Sequence, residues 1–224
     1  MKKVKTCKNP LALDAVAGMI DKRKNIIAFR HYAKVAATLM IAEIAKDFQL
    51  EDVLLKTRLN TITTREKLAK KVKKIFIPIL RAGISFEEPL KYFLPDATIC
   101  HFGARRRHED HRKVDIYSSS IIRAKGADYF VLDPMGAYGT SSKEGIRAAY
   151  EAGAGKVTFV CLFISKEAAD AIWEEFPDVD IHCILANEGL NDNGYLLYCC
   201  GDFGDEYNGT PDAKKMVSKK KKAK

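Results

Sequence analysis

Tyr129-Phe130-Val131-Leu132-Asp133-Pro134-Met135-Gly136-Ala137-Tyr138-Gly139-Thr140-Ser141-Ser142 reads as a short apolar strand, a turn opened by an acid and loosened by two glycines, and the start of a helix. Ser141-x-x-Glu144 has the spacing of a capping box, predicting a helix that runs towards Ala152 and ends at Gly153 to Gly155. Beyond it, Val157 to Ile164 is an unbroken apolar run expected as one strand. Lys166 to Phe176 is expected as a helix and Val179 to Leu185 as another strand. Upstream, Ile75 to Leu80 (IFIPIL) has the length and branching of a buried strand, although Pro78 lacks a ladder donor. Thr63-x-x-Glu66 predicts a helical run to Lys74, Ser85-x-x-Glu88 a short helix with Pro89 in its first turn, and Ala97 to Phe102 a strand. Between Asp21 and Phe48, residues Ile26, Phe29, Ala33, Ala36, Met40 and Ile44 recur every three or four positions, predicting a long amphipathic helix. Gln49 to Thr64 carries little pattern and is expected as loop or short strand. Strands alternating with helices predict an α/β fold with a mainly parallel sheet flanked by helices.

Three loops carry residues suited to chemistry. The acid at a strand end, Asp133, can accept hydrogen bonds from sugar hydroxyls. The glycines that follow permit a tight turn, and the helix start can hold an anion through its amides and dipole. The alternative is a plain strand-to-helix turn with Ser141 as its cap. The loop matches neither GxxxxGK[ST] nor GxGxxG, so it bears no fingerprint of an ATPase or a dinucleotide fold. Arg81-Ala82-Gly83 follows a second strand and supplies a cation beside a permissive backbone position. Arg105, Arg106 and Arg107 lie in a densely charged stretch running to Lys113, which is either a solvated face or an arm able to grip a polyphosphate. Gly201-Asp202-Phe203-Gly204-Asp205 could orient a metal-bound diphosphate through Asp202, or be a tight surface turn.

Composition removes other classes. The 224 residues are 47% hydrophobic and 30% charged, which excludes wholesale disorder and a disulfide mini-protein. Of the net charge of +9, seven lysines lie between Ala213 and Lys224, leaving +2 for the rest, so the charge describes a tail expected to be disordered. A nucleic-acid role is therefore not expected. The six cysteines form no CxxC pair, and the vicinal pair Cys199-Cys200 has no histidine or cysteine partner at local spacing for zinc. No His, Ser and Asp arrangement suggests a hydrolase triad. Apolar runs are too short to span a membrane, no signal peptide is evident, and a reducing, cytoplasmic setting is expected. A single domain over 1–212, with an arm at about 103–125 and the tail 213–224, is expected.

Taken in order, these residues resemble the uracil phosphoribosyltransferase family of type I phosphoribosyltransferases. The resemblance rests on PILRAG from Pro78 to Gly83, Leu94-Pro95-x-Ala97, the arm from Gly103 through Arg106 to Val114 and Tyr117, and Asp133-Pro134-Met135. It continues in Phe176-Pro177-Asp178-Val179, Leu190-Asn191-x-x-Gly194-Tyr195, and Gly201-Asp202-x-Gly204-Asp205 with Gly209-Thr210. It implies a projecting arm or hood on the sheet and transfer of phosphoribose from phosphoribosyl diphosphate to uracil, giving uridine monophosphate in pyrimidine salvage. On that resemblance Asp133 holds ribose hydroxyls and Pro134, Met135 and Gly136 lead into a phosphate cradle of Ala137, Tyr138, Gly139, Thr140 and Ser141. Arg81 and Arg106 engage the diphosphate. Asp202 acts indirectly on Mg²⁺ carried by that diphosphate, and Tyr195, Leu196, Leu197, Tyr198, Cys199, Cys200 and Gly201 surround the base. A homodimer and a guanosine triphosphate effector are also implied. The chain departs from the family at DPMGAYGTS, where the family has DPMLATGGS, and at YLLYCCGDFGDE, where it has YIVPGLGDAGDR. Those departures imply the alternatives of a silent homologue that still binds nucleotide or phosphate, or a transferase for another nucleobase.

Overall fold

The computed structural model describes residues 3–106, 113–187, 189–192 and 194–210, without the side chains of Arg106 and Asn187. The expected lysine-rich tail lies outside the described residues, as do Arg107 and the acids and histidines that follow it. In chain order the elements are β1 (Lys5–Thr6), α1 (Pro10–Ile20), α2 (Ile26–Ile44), β2 (Leu50–Lys56), β3 (Ile62–Leu68), β4 (Lys74–Leu80), α3 (Glu87–Phe93), β5 (Thr98–Ile99), β6 (Phe102–Arg106) and β7 (Val114–Ser119). The second half adds β8 (Asp128–Leu132), β9 (Met135–Gly136), α4 (Thr140–Glu151), β10 (Lys156–Val160), β11 (Phe163–Ser165), α5 (Lys166–Glu175), β12 (Asp180–Cys183), β13 (Leu185–Asn187) and α6 (Phe203–Asn208).

The main sheet runs β1-β12-β10-β8-β4-β6-β7, with β5 also beside β4, and every pairing is parallel except β6 with β7. Strand alternation divides the core in two. Phe76, Phe130, Leu132 and Val160 pack with α1 and α2 residues such as Val16, Phe29, Ala33 and Met40. Ile75, Ile77, Tyr129, Val131 and Phe159 pack with Ile146, Ala149 and Ile172 of α4 and α5. Both faces of the sheet are covered, as the apolar strand runs require. Pro78 sits inside β4. By alternation its nitrogen points to the side where Phe76 receives Cys100, and the ladder there breaks between the Phe76–Ile99 and Ile79–Phe102 pairs, so the absent N–H forfeits no bond.

Four sequence expectations are corrected. The stretch around Thr63-x-x-Glu66 is not a helix. It is β3, paired antiparallel with β2 from Leu50↔Leu68 to Lys56↔Ile62 around a turn with Asn60 at φ 62°. Cross-strand bonding satisfies the backbone donors a cap would have served, and β-branched Thr63 and Thr64 favour the extended chain. Val157 to Ile164 is two strands, because the Pro134 carbonyl accepts from both Leu162 and Phe163 at 3.0 Å and diverts the chain into a small sheet ordered β13-β11-β9. Val179 to Leu185 divides for the same reason, with Leu162 O receiving Ile184 and Leu185. The helix expected between Asp21 and Phe48 is shorter, α2 spanning Ile26–Ile44, and α1 precedes it where no helix was expected. Asn9 and Asn25 cap α1 and α2 through Leu11 N at 2.9 Å and Ala28 N at 3.0 Å, and Pro10 occupies the first turn of α1. Among the described residues no helix is long and apolar enough to cross a membrane.

Candidate active site

From β4 the chain proceeds to β6 on one side, whereas from β8 it proceeds to β10 and β12 on the other. The carboxyl ends of β4 and β8 therefore flank a topological switch point, where open parallel sheets bind ligands. Arg81 directly follows β4 and Asp133 directly follows β8. The two turns are tightly layered. A side chain on Gly83 would come within 2.7 Å of Leu132 O and 3.0 Å of Pro78 Cα.

Asp133 is only 9% exposed, donates its backbone N–H to Val160 O at 3.1 Å, and accepts from Met135 N at 3.3 Å through Oδ1. Met135 and Gly136 then pair with Phe163 and Ile164 of β11, so the small sheet fixes the loop from below. The Ser165 hydroxyl donates to Ala137 O and accepts from Ala168 N at 2.8 Å, which ties the loop to the start of α5. Ser141 is not the cap of α4. The N-cap is Gly139 in the left-handed region at φ 71°, where Ala168 O would lie 3.1 Å from a Cβ. No side chain caps that first turn, so the leading amides of Thr140, Ser141 and Ser142 are available to an anion. Tyr138 directs its ring onto Gly194, where a Cβ would approach ring carbon Cε2 to 2.6 Å. The ring occupies the space that a missing side chain leaves in the loop before α6.

Arg81 donates through Nη2 to Asp205 Oδ1 at 2.7 Å and through Nη1 to Thr210 Oγ1 at 3.1 Å, and Thr210 Oγ1 donates to the same Asp205 oxygen at 2.7 Å. Asp202 caps α6 by accepting from Asp205 N at 3.0 Å through Oδ1. Asn191 builds the loop upstream, bonding Tyr195 through its backbone N–H and its Oδ1. Leu197 N reaches Gly189 O at 3.1 Å, and Tyr198 follows at φ 54° with 90% of its surface exposed. Tyr195, Leu196, Leu197, Tyr198, Cys199, Gly201 and Asp202 line a cleft of about 590 Å³ with Asn191, Asp205, Glu206 and Thr210. Cys200 lies behind that lining, its sulfur 3.9 Å from Met135 Sδ. The Cys200 contact and Tyr138 on Gly194 join the Asp133 loop to the cleft loop. The structure thus gathers Arg81, Asp133, the turn to Ser141 and the segment Tyr195 to Asp202 at one end of the sheet. The Arg106 side chain lies outside the described residues. Asp205, Thr210 and Asn191 were present in the sequence motifs but had no role assigned there, because their partners are distant in sequence or belong to loop backbone.

A family profile described as "Uracil phosphoribosyltransferase" matches residues 6–210. The chain belongs to the uracil phosphoribosyltransferase family. It is 34% identical over 210 residues to a uracil phosphoribosyltransferase of Anoxybacillus flavithermus, covering 94% of this chain and all of the relative. A Geobacillus sp. uracil phosphoribosyltransferase is 35% identical over the same coverage. A solved structure of the AQ2163 protein from Aquifex aeolicus superposes with a TM-score of 0.86 at 28% identity, covering 93% of this chain and 99% of that one. Membership of the family bears out the resemblance read in the motifs, and the α/β architecture bears out the fold class. The coarse chemistry of the family is phosphoribosyl transfer.

Proposed function

We propose that the protein transfers the 5-phosphoribosyl group of phosphoribosyl diphosphate to N1 of uracil, yielding uridine monophosphate and diphosphate. The observation carrying this reading is the buried Asp133 between a strand end and the uncapped start of α4, opposite Arg81 across the switch point. The Asp133 carboxylate accepts from ribose hydroxyls, and the α4 amides receive the 5′-phosphate. Arg81 exchanges Asp205 and Thr210 for diphosphate oxygens. The bond from ribose C1 to diphosphate oxygen breaks with its electron pair leaving on diphosphate, the N1–C1 bond forms, and the N1 proton passes to solvent. The positive charge that develops on the ribose faces the Asp133 carboxylate.

Mg²⁺ fits this donor set as a substrate-borne ion. Among the described residues no three histidine, cysteine or acidic side chains converge, and Mg²⁺ characteristically takes one or two carboxylates together with phosphate oxygens and water. Asp202 and Asp133 are the residues that would steady it, and bound there it would neutralise charge on the leaving diphosphate.

Diphosphate release assayed with uracil, cytosine, adenine, guanine and hypoxanthine tests the reading. Uracil-dependent release is expected. Release with another base alone would reassign the acceptor, and nucleotide binding without release would leave a binding homologue. Arg81→Ala should raise the KM for phosphoribosyl diphosphate at least tenfold. Its half-exposed ion pair with Asp205 is worth about 0–1 kcal/mol, so the melting temperature should scarcely move.

We also infer a homodimer. Leu50, Leu54, Ile62 and Leu68 lie on one face of the β2–β3 ribbon, and Leu54 and Ile62 are 77% and 76% exposed. A two-stranded ribbon is marginal in water by itself. Self-pairing of this face across a twofold axis supplies its cover. Leu54→Asp should shift the sedimentation profile from dimer to monomer, and an unchanged profile would place the interface elsewhere.

A further inference from the structure

Cys200 places its sulfur beside two others where the Asp133 loop touches the cleft loop. Cys199 Sγ lies 3.9 Å from Cys200 Sγ, and Cys200 Sγ lies 3.9 Å from Met135 Sδ. We propose that Cys199, Cys200 and Met135 form a binding site for a soft monovalent metal ion, for which copper(I) is the fitting occupant. Metal–thiolate bonds to a filled-shell first-row ion are about 2.3 Å, so three sulfurs arranged in a plane around one sit about 4.0 Å apart. The Cys199–Cys200 and Cys200–Met135 separations match two edges of that triangle. Two thiolates and a thioether select copper(I) over zinc, which takes a fourth ligand and prefers nitrogen or thiolate to a thioether. The spacing of the cysteines in sequence points to no partner, because the third ligand arrives from position 135, on a different loop.

The site has an entry. Cys199 lines the cleft, so an ion reaches it from solvent. Binding as two thiolates releases both thiol protons to solvent. Cys7, Cys100, Cys161 and Cys183 are buried in the core and offer no comparable approach. A bound ion would bridge the turn after β8 to the segment before α6, clamping the two loops together.

The experiment is anaerobic titration of the reduced, full-length chain with copper(I) buffered by bicinchoninate, followed by X-ray absorption of the loaded protein. One copper per chain should be withdrawn from the chelator, with a shell of three sulfurs at about 2.3 Å. Cys200→Ser should weaken copper binding at least a hundredfold and Met135→Leu at least tenfold. Failure of the native chain to compete, a two-sulfur shell, or native affinity in both variants would overturn the proposal. The absorption measurement on the native chain decides the matter even if a variant does not fold. None of these readouts depends on the acceptor base or on turnover.

Discussion

Asparagine in place of Asp133 should lower the turnover of phosphoribosyl transfer by about two to three orders of magnitude, the scale lost when one preorganised electrostatic partner is removed from a transition state. The fold should survive. Asparagine has the same shape and keeps an Oδ1 able to accept from Met135 N, the 3.3 Å bond that shapes the turn, while the backbone bond to Val160 is untouched. What disappears is the negative charge at the end of β8 and the second carboxylate acceptor. A side chain only 9% exposed acts with little solvent screening, so its charge bears strongly on a ribose acquiring oxocarbenium character. Steady-state kinetics beside a thermal melt separate the effects: the melting temperature should stay within a few degrees while turnover collapses. Turnover within threefold of the native value would remove Asp133 from the proposed chemistry.

Gly83→Ala should destabilise the protein by about 2–3 kcal/mol, at the upper end for overpacking. The added carbon meets no flexible side chain. It would lie 2.7 Å from the Leu132 carbonyl and 3.0 Å from both Pro78 Cα and Pro78 C, all backbone of the two strands at the sheet centre. Neither can retreat without disturbing the other, since Pro78 and Leu132 are register partners. The turn carrying Arg81 must lift instead, so the loss should extend to diphosphate binding. Urea denaturation should show a lowered midpoint with unchanged slope. An unaltered midpoint would mean that the packing between these turns is looser than the contacts indicate.

Much of this architecture was legible in the sequence. IFIPIL, YFVLD and the run after Lys156 announced central strands, since a strand buried on both faces has to be apolar at successive positions. The α1 cap was also visible in Asn9-Pro10, a signal the sequence reading passed over. The diversion of the chain at Leu162 was not visible, because the carbonyl responsible belongs to Pro134 and reaches it only in the folded state. The β2–β3 ribbon was concealed by a capping motif whose local chemistry suits a helix as well as a strand. In the site, the order of motifs conveyed the family, but the Arg81–Asp205–Thr210 cluster joins residues more than a hundred positions apart. No periodicity connects them. Likewise the departure DPMGAYGTS shows an aromatic at position 138 of the phosphate cradle, but not that Gly194, in the loop before α6, leaves room for its ring.

That accommodation has an evolutionary corollary. Positions 138 and 194 form a bulk-for-void exchange in which the aromatic is admissible only while its counterpart is bare, and the counterpart's left-handed backbone at φ 72° independently discourages a replacement. Descendants of this chain are thus free to shrink residue 138 in a single step, whereas enlarging residue 194 first would evict the tyrosine. Substitution between the two loops has a preferred historical direction.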